Sequence, residues 1–260
     1  MIGQPADMTG AGVPPGVFDT TPVPSNFARS VLDLLARTEY RRCDKGEDLE
    51  AVYRLRYKSY LASGMVSANH ERIVTDALDD LPNSMRFGIH VDGELVSTLR
   101  LHHVTAEHRQ SPSTTVYGDL LHPRIDAGET FIDPSRFAAD PDWTAQYPHL
   151  PYVTLRLAAM ACVYFAPDYC LSTIRTDHAG FYRRVFDAQQ VGGLRAYPAL
   201  NYEVVLYQAH YKSIAARTGL RYPFFKSSAL EQRMMFGKPA EGDLEPLTIL
   251  PTARFFAEAA

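Results

Sequence analysis

Helix signals occur at four places along the chain. Apolar residues recur at helical spacing over residues 26–37, and residues 46–63 start with acidic side chains and stop before a glycine, as helices commonly do. A proline opens the apolar run at 151–165, and a shorter helix is predicted over residues 178–190. Segments of a different pattern separate these four helices.

Alternating apolar and polar residues, typical of strands, occupy several of the intervening stretches. The strongest signal is Asp92-Gly93 between two such runs, 85–91 and 94–104, which predicts a tight hairpin. Pro134 is expected to end or bulge another of the strands. The remaining predicted strands are residues 38–43, 129–137, 169–176 and 201–207.

The order of these elements predicts one α/β domain. An antiparallel hairpin followed by strand, helix and strand favours a mixed sheet with helices on both faces. We assign this domain to residues 25–225, after a Pro- and Gly-rich leader at 1–24 and before a tail at 226–260. The tail is expected to contain one helix and then an extended segment. Residues 105–128 are expected to form a long polar connection.

Composition argues against several classes of function. A formal net charge of −4 argues against a general nucleic-acid binder, which is usually basic. The three cysteines include no CxxC pair, and His102-His103 have no further ligands at metal spacing, so neither a disulfide framework nor a metal site is expected. We find no signal peptide, and the most apolar run, Tyr152–Ala166, is too short to cross a bilayer. We therefore expect a cytoplasmic protein without an integral membrane segment.

An arginine interrupts the apolar face of the second predicted helix. Arg56 lies on the face that also carries Leu49, Val52, Tyr53 and Tyr60. A guanidinium in such a place needs an anionic partner, because an unpaired buried charge is costly. Arg56 is therefore one half of a structural ion pair, an edge residue whose charged end reaches solvent, or an arginine directed into a substrate site.

A second arginine stands in the middle of the predicted hairpin. Arg100 needs an acidic partner or an anionic ligand unless its strand is a solvated edge. The planar guanidinium can bind a carboxylate through two hydrogen bonds. An acidic loop ahead of the hairpin, with Asp76, Asp79 and Asp80, could supply the partner of Arg56 or Arg100, although such loops are usually only solvated.

A third candidate is the tetrapeptide Asp133-Pro134-Ser135-Arg136 near the end of a strand. A carboxylate held there could order an amine or accept its proton. Asp-Pro-Ser is also common in turns, so the tetrapeptide by itself is weak evidence.

These segments, taken in order, resemble a known family. YRLRYKSYLASG at 53–64, the loop with Asp76, VSTLRL at 96–101 and FIDPSRFAAD at 131–140 are similar to blocks of the N-acyl amino acid synthases. Those enzymes are relatives of the acyl-homoserine lactone synthases within the GNAT superfamily. HAGFYRRVF at 178–186 resembles a later helix of the family.

The resemblance implies a twisted mixed sheet that splays between its central strands, where an acyl-pantetheine enters. It implies an acyl carrier protein thioester as the donor, an amino acid as the acceptor and no bound cofactor. The implied catalytic residues are Asp133, Arg100 and Arg136, and the implied substrate-binding residues are Arg56, Tyr60, Asp76 and Ser135. The family usually has glutamate where this chain has Asp133, so the shorter carboxylate either reaches an amine through a water or pairs with an arginine.

The resemblance also suggests a mechanism. Arg100 or Arg136 holds the carboxylate of the amino acid, and Asp133 takes a proton from its amine, directly or through a water. The neutral amine then attacks the thioester, while backbone N–H groups of the splayed strand stabilise the oxyanion. The acyl chain is expected near residues 152–165, a stretch that is otherwise an ordinary core helix.

Two features concern the donor. AADPDWTAQYP follows FIDPSRF where related acetyl-CoA enzymes carry a glycine-rich phosphate loop, which favours a carrier-protein donor over acetyl-CoA. Arg183 and Arg184 could dock an acidic carrier protein, although a solvated helix face explains them equally well.

Two other functions stay open. An acyl-homoserine lactone synthase would use S-adenosylmethionine as the acceptor, and it is disfavoured because Trp143 is the only tryptophan and the aromatic block of that subfamily is not reproduced. A non-catalytic acyl-binding module with the same fold would bind acyl chains but release no carrier thiol.

Overall fold

A computed structural model describes residues 24–198, 200–214, 221–238, 248–253 and 255. Nearly all of the predicted leader, and parts of the predicted tail, lie outside the described residues. The strands are β1 Thr38–Arg42, β2 Ser84–Val91, β3 Glu94–Val104, β4 Phe131–Ala139, β5 Tyr169–Ile174, β6 Gln189–Ala196 and β7 Glu203–His210. The helices are α1 Asn26–Ala36, α2 Gly46–Ala62, α3 Pro112–Val116, α4 Gly118–Asp126, α5 Pro141–Gln146, α6 Leu150–Phe165, α7 Ala179–Phe186, α8 Tyr211–Ser213 and α9 Ala229–Phe236.

The strands form one mixed sheet in the order β1-β2-β3-β4-β5-β7-β6. The pairs β1–β2, β2–β3, β3–β4, β5–β7 and β6–β7 are antiparallel, whereas β4 and β5 are parallel. The predicted hairpin is confirmed, with Asp92 and Gly93 both at positive φ in its turn. α6 forms the crossover that a parallel pair requires.

The two central strands separate soon after they meet. β4 and β5 pair only at Phe131–Tyr169 and Ile132–Cys170. Pro134, which has no N–H to donate, lies two residues after Ile132 on β4. The predicted mixed α/β fold with a splayed central sheet is therefore confirmed, and the gap lies between β4 and β5.

Helices cover both faces of the sheet, as predicted. α1, α6, α7 and α9 bury their apolar residues in one large core with Leu99 and Leu101 of β3. On the opposite face, α4 packs Leu121 and Ile125 against Leu171 of β5. Because side chains alternate along a strand, Arg100 of β3 is directed away from the large core. Among the described residues, no helix has both the length and the apolar character needed to span a bilayer.

The connection predicted at 105–128 is not devoid of structure. It contains α3 and α4, and α3 begins with a reciprocal capping box between Ser111 and Thr114 and with Pro112 at its first turn. This prediction was wrong because polar residues dominate the segment, and a helix of five residues is too short to show an apolar period. The Ser-Pro start was the local signal that could have found it.

The helix predicted over 178–190 is also shorter than expected. α7 ends at Phe186, and β6 follows from Gln189. β6 is an edge strand with mostly exposed side chains and two adjacent glycines, so it lacks the alternation that marks a strand. Gly192 is required there, since a Cβ would come within 2.7 Å of the Tyr117 ring.

The described part of the tail packs on the domain. The predicted helix is α9, and Ile249 beyond it forms a β-bridge with Tyr40. Arg156 of α6 is fully buried and donates from Nη2 to Glu231 of α9 at 3.0 Å. Arg156 Nη2 also donates to the carbonyl of Lys226 at 2.6 Å, so this arginine holds the tail against α6.

Candidate active site

Three arginines and two aspartates form one chain of ion pairs on the α2 face of the sheet. Arg56 of α2 donates from Nη1 to both oxygens of Asp79, at 2.9 and 3.0 Å. Arg100 of β3 contacts Asp79 at 3.1 Å and Asp76 at 2.6 Å. Arg136 of β4 also pairs with Asp76. The acidic loop therefore joins arginines that lie far apart in the sequence.

Most of this network is inaccessible to solvent. Arg56, Arg100 and Asp79 are 0% exposed. Burial alone would raise the pKa of Asp76, but Arg100 and Arg136 outweigh burial and hold that pKa well below its ordinary value. The Arg100 Nε also donates to Ser135 Oγ at 3.0 Å. Arg100 is thus bound by protein acceptors, and the network holds the loop against the sheet. Asp80 of the same loop is exposed.

A β-bulge directs Arg136 toward this network. The β3–β4 register shifts between Thr98 and Arg100, so that one residue more is used on β4. Arg136 has a positive φ of 51°, and its carbonyl accepts a hydrogen bond from the Thr98 hydroxyl. A bulge places successive residues on one face, so both Ser135 and Arg136 reach the α2 side. The predicted bulge therefore lies two residues after Pro134.

Arg136 has donor capacity left over. Nε and Nη2 bind Asp76, whereas Nη1 has no hydrogen-bond partner although the residue is 7% exposed. A buried donor without a partner is costly, so an acceptor is expected there. Arg136 lines the cavity between β4 and β5, unlike Arg100. Of the two arginines proposed for the substrate carboxylate, Arg136 is the one at the cavity.

Three neighbouring cavities lie where the sheet splays, and Pro134 lines all of them. The central cleft, of about 130 Å³, lies between the separated strands. The polar chamber, of about 40 Å³, is on the α2 and α3 side and is lined by Tyr60, Pro112, Arg136, Thr173, Tyr197 and Tyr202. The apolar chamber, of about 20 Å³, is on the α6 side and is lined by Leu155, Ala158, Ala159, Cys170, Tyr182 and Phe186.

Alternation along β5 separates the two chambers. Ser172 lines the apolar chamber and Thr173 lines the polar chamber, and both line the central cleft. A ligand in the cleft would therefore have one end on each face of the sheet. Such a site can bind an elongated molecule that is apolar at one end and polar at the other.

Asp133 is close to this site but does not line any of the three cavities. It is 0% exposed, and its carboxylate accepts hydrogen bonds from Ser113 N at 2.8 Å and Ser113 Oγ at 2.7 Å. Burial raises the pKa of Asp133 above its ordinary value, and the bonds from Ser111 and Ser113 only partly oppose this shift. In this structure the Asp133 carboxylate is therefore not positioned to contact a ligand in the cleft directly.

Ser113 and Thr173 had no role in the sequence-based prediction. The Ser113 Oγ lies 2.6 Å from the Oγ1 of Thr173, a residue that lines the polar chamber. Tyr197 and Tyr202, which stack with ring centroids 5.9 Å apart, also escaped attention. No local signal marks Ser113 and Thr173, because the two hydroxyls meet across 60 residues of sequence.

Arg183 and Arg184 lie apart from the ion-pair network. Both are exposed on α7. Arg175 and His178, just before α7, line the central cleft, as does Tyr182, the residue that precedes Arg183. The placement permits contact with a partner that delivers a ligand to the cleft.

Known proteins resemble this chain in both sequence and structure. Residues 51–210 match the family described as N-acyl amino acid synthase FeeM. The structure of FeeM, from uncultured soil microbes, superposes with a TM-score of 0.59 at 18% identity, covering 71% of this chain and 97% of FeeM. The acyl-homoserine lactone synthase LasI superposes with a TM-score of 0.49 at 15% identity, covering 71% and 93%. The comparison with curated proteins returns no match.

The family match spans more than half of the chain and includes the acidic loop, the bulged strand and nearly all of the residues that line the two chambers. The superposition with FeeM agrees with it in fold. The chain therefore belongs to the N-acyl amino acid synthase FeeM family, and it is an N-acyltransferase.

Proposed function

We propose that this enzyme transfers a long fatty acyl group from acyl carrier protein to the amine of an amino acid. The observation that carries the proposal is the junction at Pro134 of an apolar chamber with a polar chamber that contains Arg136. Such a junction suits an acyl chain on one face of the sheet and an ionic acceptor on the other. The reaction would take place in the cytoplasm, which suits three free, buried cysteines.

The acceptor would occupy the polar chamber. Its carboxylate would bind Arg136, whose Nη1 has no protein partner. Asp76 keeps Arg136 in place, and the network through Arg100 and Arg56 supports that aspartate. Arg100, Arg56 and Asp76 would thus act by positioning Arg136 and the loop. Tyr60 would pack against the acceptor, since it lines the same chamber.

The acyl chain would enter the apolar chamber beside α6. That chamber holds little more than one water-sized group, so a long chain must displace side chains along it. Tyr182 and Phe186 of α7 form one side of the chamber. Movement of α7 would therefore accompany donor binding.

The donor would be delivered by a carrier protein. No glycine-rich loop follows β4, so the backbone N–H groups with which such a loop would bind the pyrophosphate of coenzyme A are missing there. Arg183 and Arg184 are exposed near the rim of the cleft and would attract an acidic partner. Acyl-coenzyme A is the competing donor that the experiment below separates.

The reaction would be direct aminolysis of the thioester. The amine attacks the carbonyl carbon, and the carrier thiol leaves without a covalent enzyme intermediate. Past Ile132 and Cys170, the edges of β4 and β5 that face each other no longer pair. Backbone N–H groups along these edges, other than at Pro134, would stabilise the oxyanion. Asp133 would be the final acceptor of the amine proton.

The experiment is a pair of donor and acceptor assays on the purified chain. Acyl carrier protein and coenzyme A thioesters of matched length are each offered with a mixture of amino acids or with S-adenosylmethionine, and products are identified by mass spectrometry. We expect an N-acyl amino acid and free carrier thiol. Arg136→Met should abolish product while leaving the fold intact. Formation of an acyl-homoserine lactone, or acyl binding with no thiol release, would overturn the proposal.

A further inference from the structure

The general base of the proposed reaction has no open path to its substrate, since Asp133 lines none of the three cavities. Asp133 lies on β4 opposite His102 of β3, and its carboxylate accepts hydrogen bonds from the first turn of α3. A proton must therefore reach it through intervening groups or not at all.

Two hydroxyl groups connect Asp133 to the polar chamber. Ser113 Oγ donates to Asp133 Oδ1 at 2.7 Å, and Ser113 Oγ and Thr173 Oγ1 are 2.6 Å apart. Because the Ser113 proton is directed at Asp133, the Thr173 hydroxyl must be the donor to Ser113. The Thr173 oxygen keeps a lone pair free, and this residue lines both the polar chamber and the central cleft.

We propose that Thr173 Oγ1 takes the proton from the acceptor amine and that Ser113 and Asp133 receive it in turn. The inference rests on the proposed function and specifies its proton path. Thr173 is then a catalytic residue, because its oxygen touches the reacting nitrogen. Ser113 and Asp133 are positioning residues that act through Thr173.

The steps balance without any further reactant. The amine nitrogen forms a bond to the thioester carbon and gives its proton to Thr173, as Thr173 passes its own to Ser113 and Ser113 passes its own to Asp133. The C–S bond then breaks, and the thiolate recovers that proton along the same hydroxyls. The products are the amide and the free thiol, and the carboxylate is restored.

The surroundings of Asp133 suit a transient proton. Burial raises its pKa, so the neutral acid is less costly there than it is in water. The alternative is that the carboxylate only anchors the first turn of α3 through the Ser113 N–H. An anchoring role of Asp133 needs no hydroxyl on Thr173, whereas the proton relay does. Removal of that hydroxyl therefore distinguishes the relay from the anchor.

The experiment compares Thr173→Val, which keeps the shape and removes the hydroxyl, with Thr173→Ser, which keeps the hydroxyl. We expect Thr173→Val to lower kcat by roughly a hundredfold or more with unchanged KM for both substrates, which is the usual size of general-base catalysis. Thr173→Ser should retain most of the wild-type kcat. Melting temperatures of both variants should match the wild type.

A double-mutant cycle adds a second criterion. Ser113→Ala should cause a similar loss, and Ser113→Ala/Thr173→Val should be no slower than Thr173→Val, because the groups act in series. Wild-type kcat in Thr173→Val, or losses that multiply in the double variant, would overturn the relay while the acyltransferase function stands. Absence of acyl transfer by the wild type would overturn both.

Discussion

Arg100 on β3 and Asp76 in the acidic loop share two hydrogen bonds, of 2.6 and 3.3 Å, between a fully buried guanidinium and a partly exposed carboxylate. This pair fastens the loop between α2 and β2 to the centre of the sheet. Asp76 also pairs with Arg136, which lines the cavity, so one carboxylate connects the loop to both the sheet and the cavity wall. Perturbation of Asp76 should therefore change both stability and acceptor binding.

Asp76→Asn should make the free energy of unfolding less dependent on pH in the acidic range. Burial opposes ionisation of Asp76, but Arg100 and Arg136 lower its pKa, so ionised Asp76 stabilises the fold above the unfolded pKa of about 4 and this stabilisation is lost as pH falls. Denaturant unfolding between pH 7 and pH 3 should show a steeper decline for the wild type than for Asp76→Asn. At pH 7 the variant should be about 2 kcal/mol less stable than the wild type. This is less than the cost of breaking a fully buried ion pair, because Asp76 is partly exposed. Asp80→Asn, in the same loop but exposed, should match the wild type, and parallel pH curves for Asp76→Asn and wild type would contradict the prediction.

Arg136→Lys should weaken acceptor binding. Arginine can bind Asp76 through Nε and Nη2 and still offer Nη1 to a substrate. Lysine keeps the charge but has a single ammonium group, which cannot do both in the same geometry. We expect kcat/KM for the amino acid to fall roughly tenfold to a hundredfold, the value of one or two charged hydrogen bonds. The control is Arg175→Lys at the cleft rim, where the arginine binds Asp177. Equal effects of the two substitutions would mean that position 136 has no special role.

Ala158→Phe should shorten the acyl chains that the enzyme accepts. Ala158 lines the apolar chamber, and a phenyl ring there would occupy the space of several methylene groups. Products formed from a mixture of thioesters should shift toward shorter chains by mass spectrometry. Val163→Phe, at a 40% exposed position of the same helix, should leave the distribution unchanged. An unaltered distribution in Ala158→Phe would place the chain elsewhere.

Arg183→Glu/Arg184→Glu should raise KM for acyl carrier protein and leave kinetics with acyl-coenzyme A unchanged. Both arginines are exposed on α7, and reversal of two charges would repel an acidic partner. The wild-type KM should also rise with salt, and that dependence should shrink in the variant. Arg29→Glu/Arg54→Glu, on exposed positions of α1 and α2, is the matched control. An unchanged KM for the carrier protein would eliminate this docking surface.

Glu231→Gln should destabilise the protein strongly. Glu231 pairs with the fully buried Arg156 and accepts a bond from Thr252 N at 3.0 Å, so its charge joins α9, α6 and the end of the described chain. Removal of one charge of a buried pair costs about 3–5 kcal/mol. The double variant Arg156→Met/Glu231→Leu should recover much of that loss in a denaturant titration. If Arg156→Met/Glu231→Leu is less stable than Glu231→Gln, the hydrogen bonds that this ion pair makes to the tail outweigh the cost of burying its charges.

Local pattern was sufficient for the elements with strong periodicity or clear turn chemistry. The hairpin at Asp92-Gly93 and the helix that carries Arg56 follow from interactions between neighbours in sequence. β6 and the five-residue helix α3 were missed because an exposed edge strand and a very short helix depend on tertiary contacts such as that of Tyr117 with Gly192. Local preference carries no information about those contacts.

From the order of residues alone follow the α/β class and the need of Arg56 and Arg100 for anionic partners. Each of these depends on neighbours along the chain or on a residue type that is costly to bury unpaired. Only the packed structure could show that Asp76 and Asp79 are those partners, that the bulge turns Arg136 toward the cavity, and that Asp133 meets Ser113 rather than a substrate. These are contacts across tens of residues, and their geometry is set by strand register and helix packing, which no local stretch of sequence encodes.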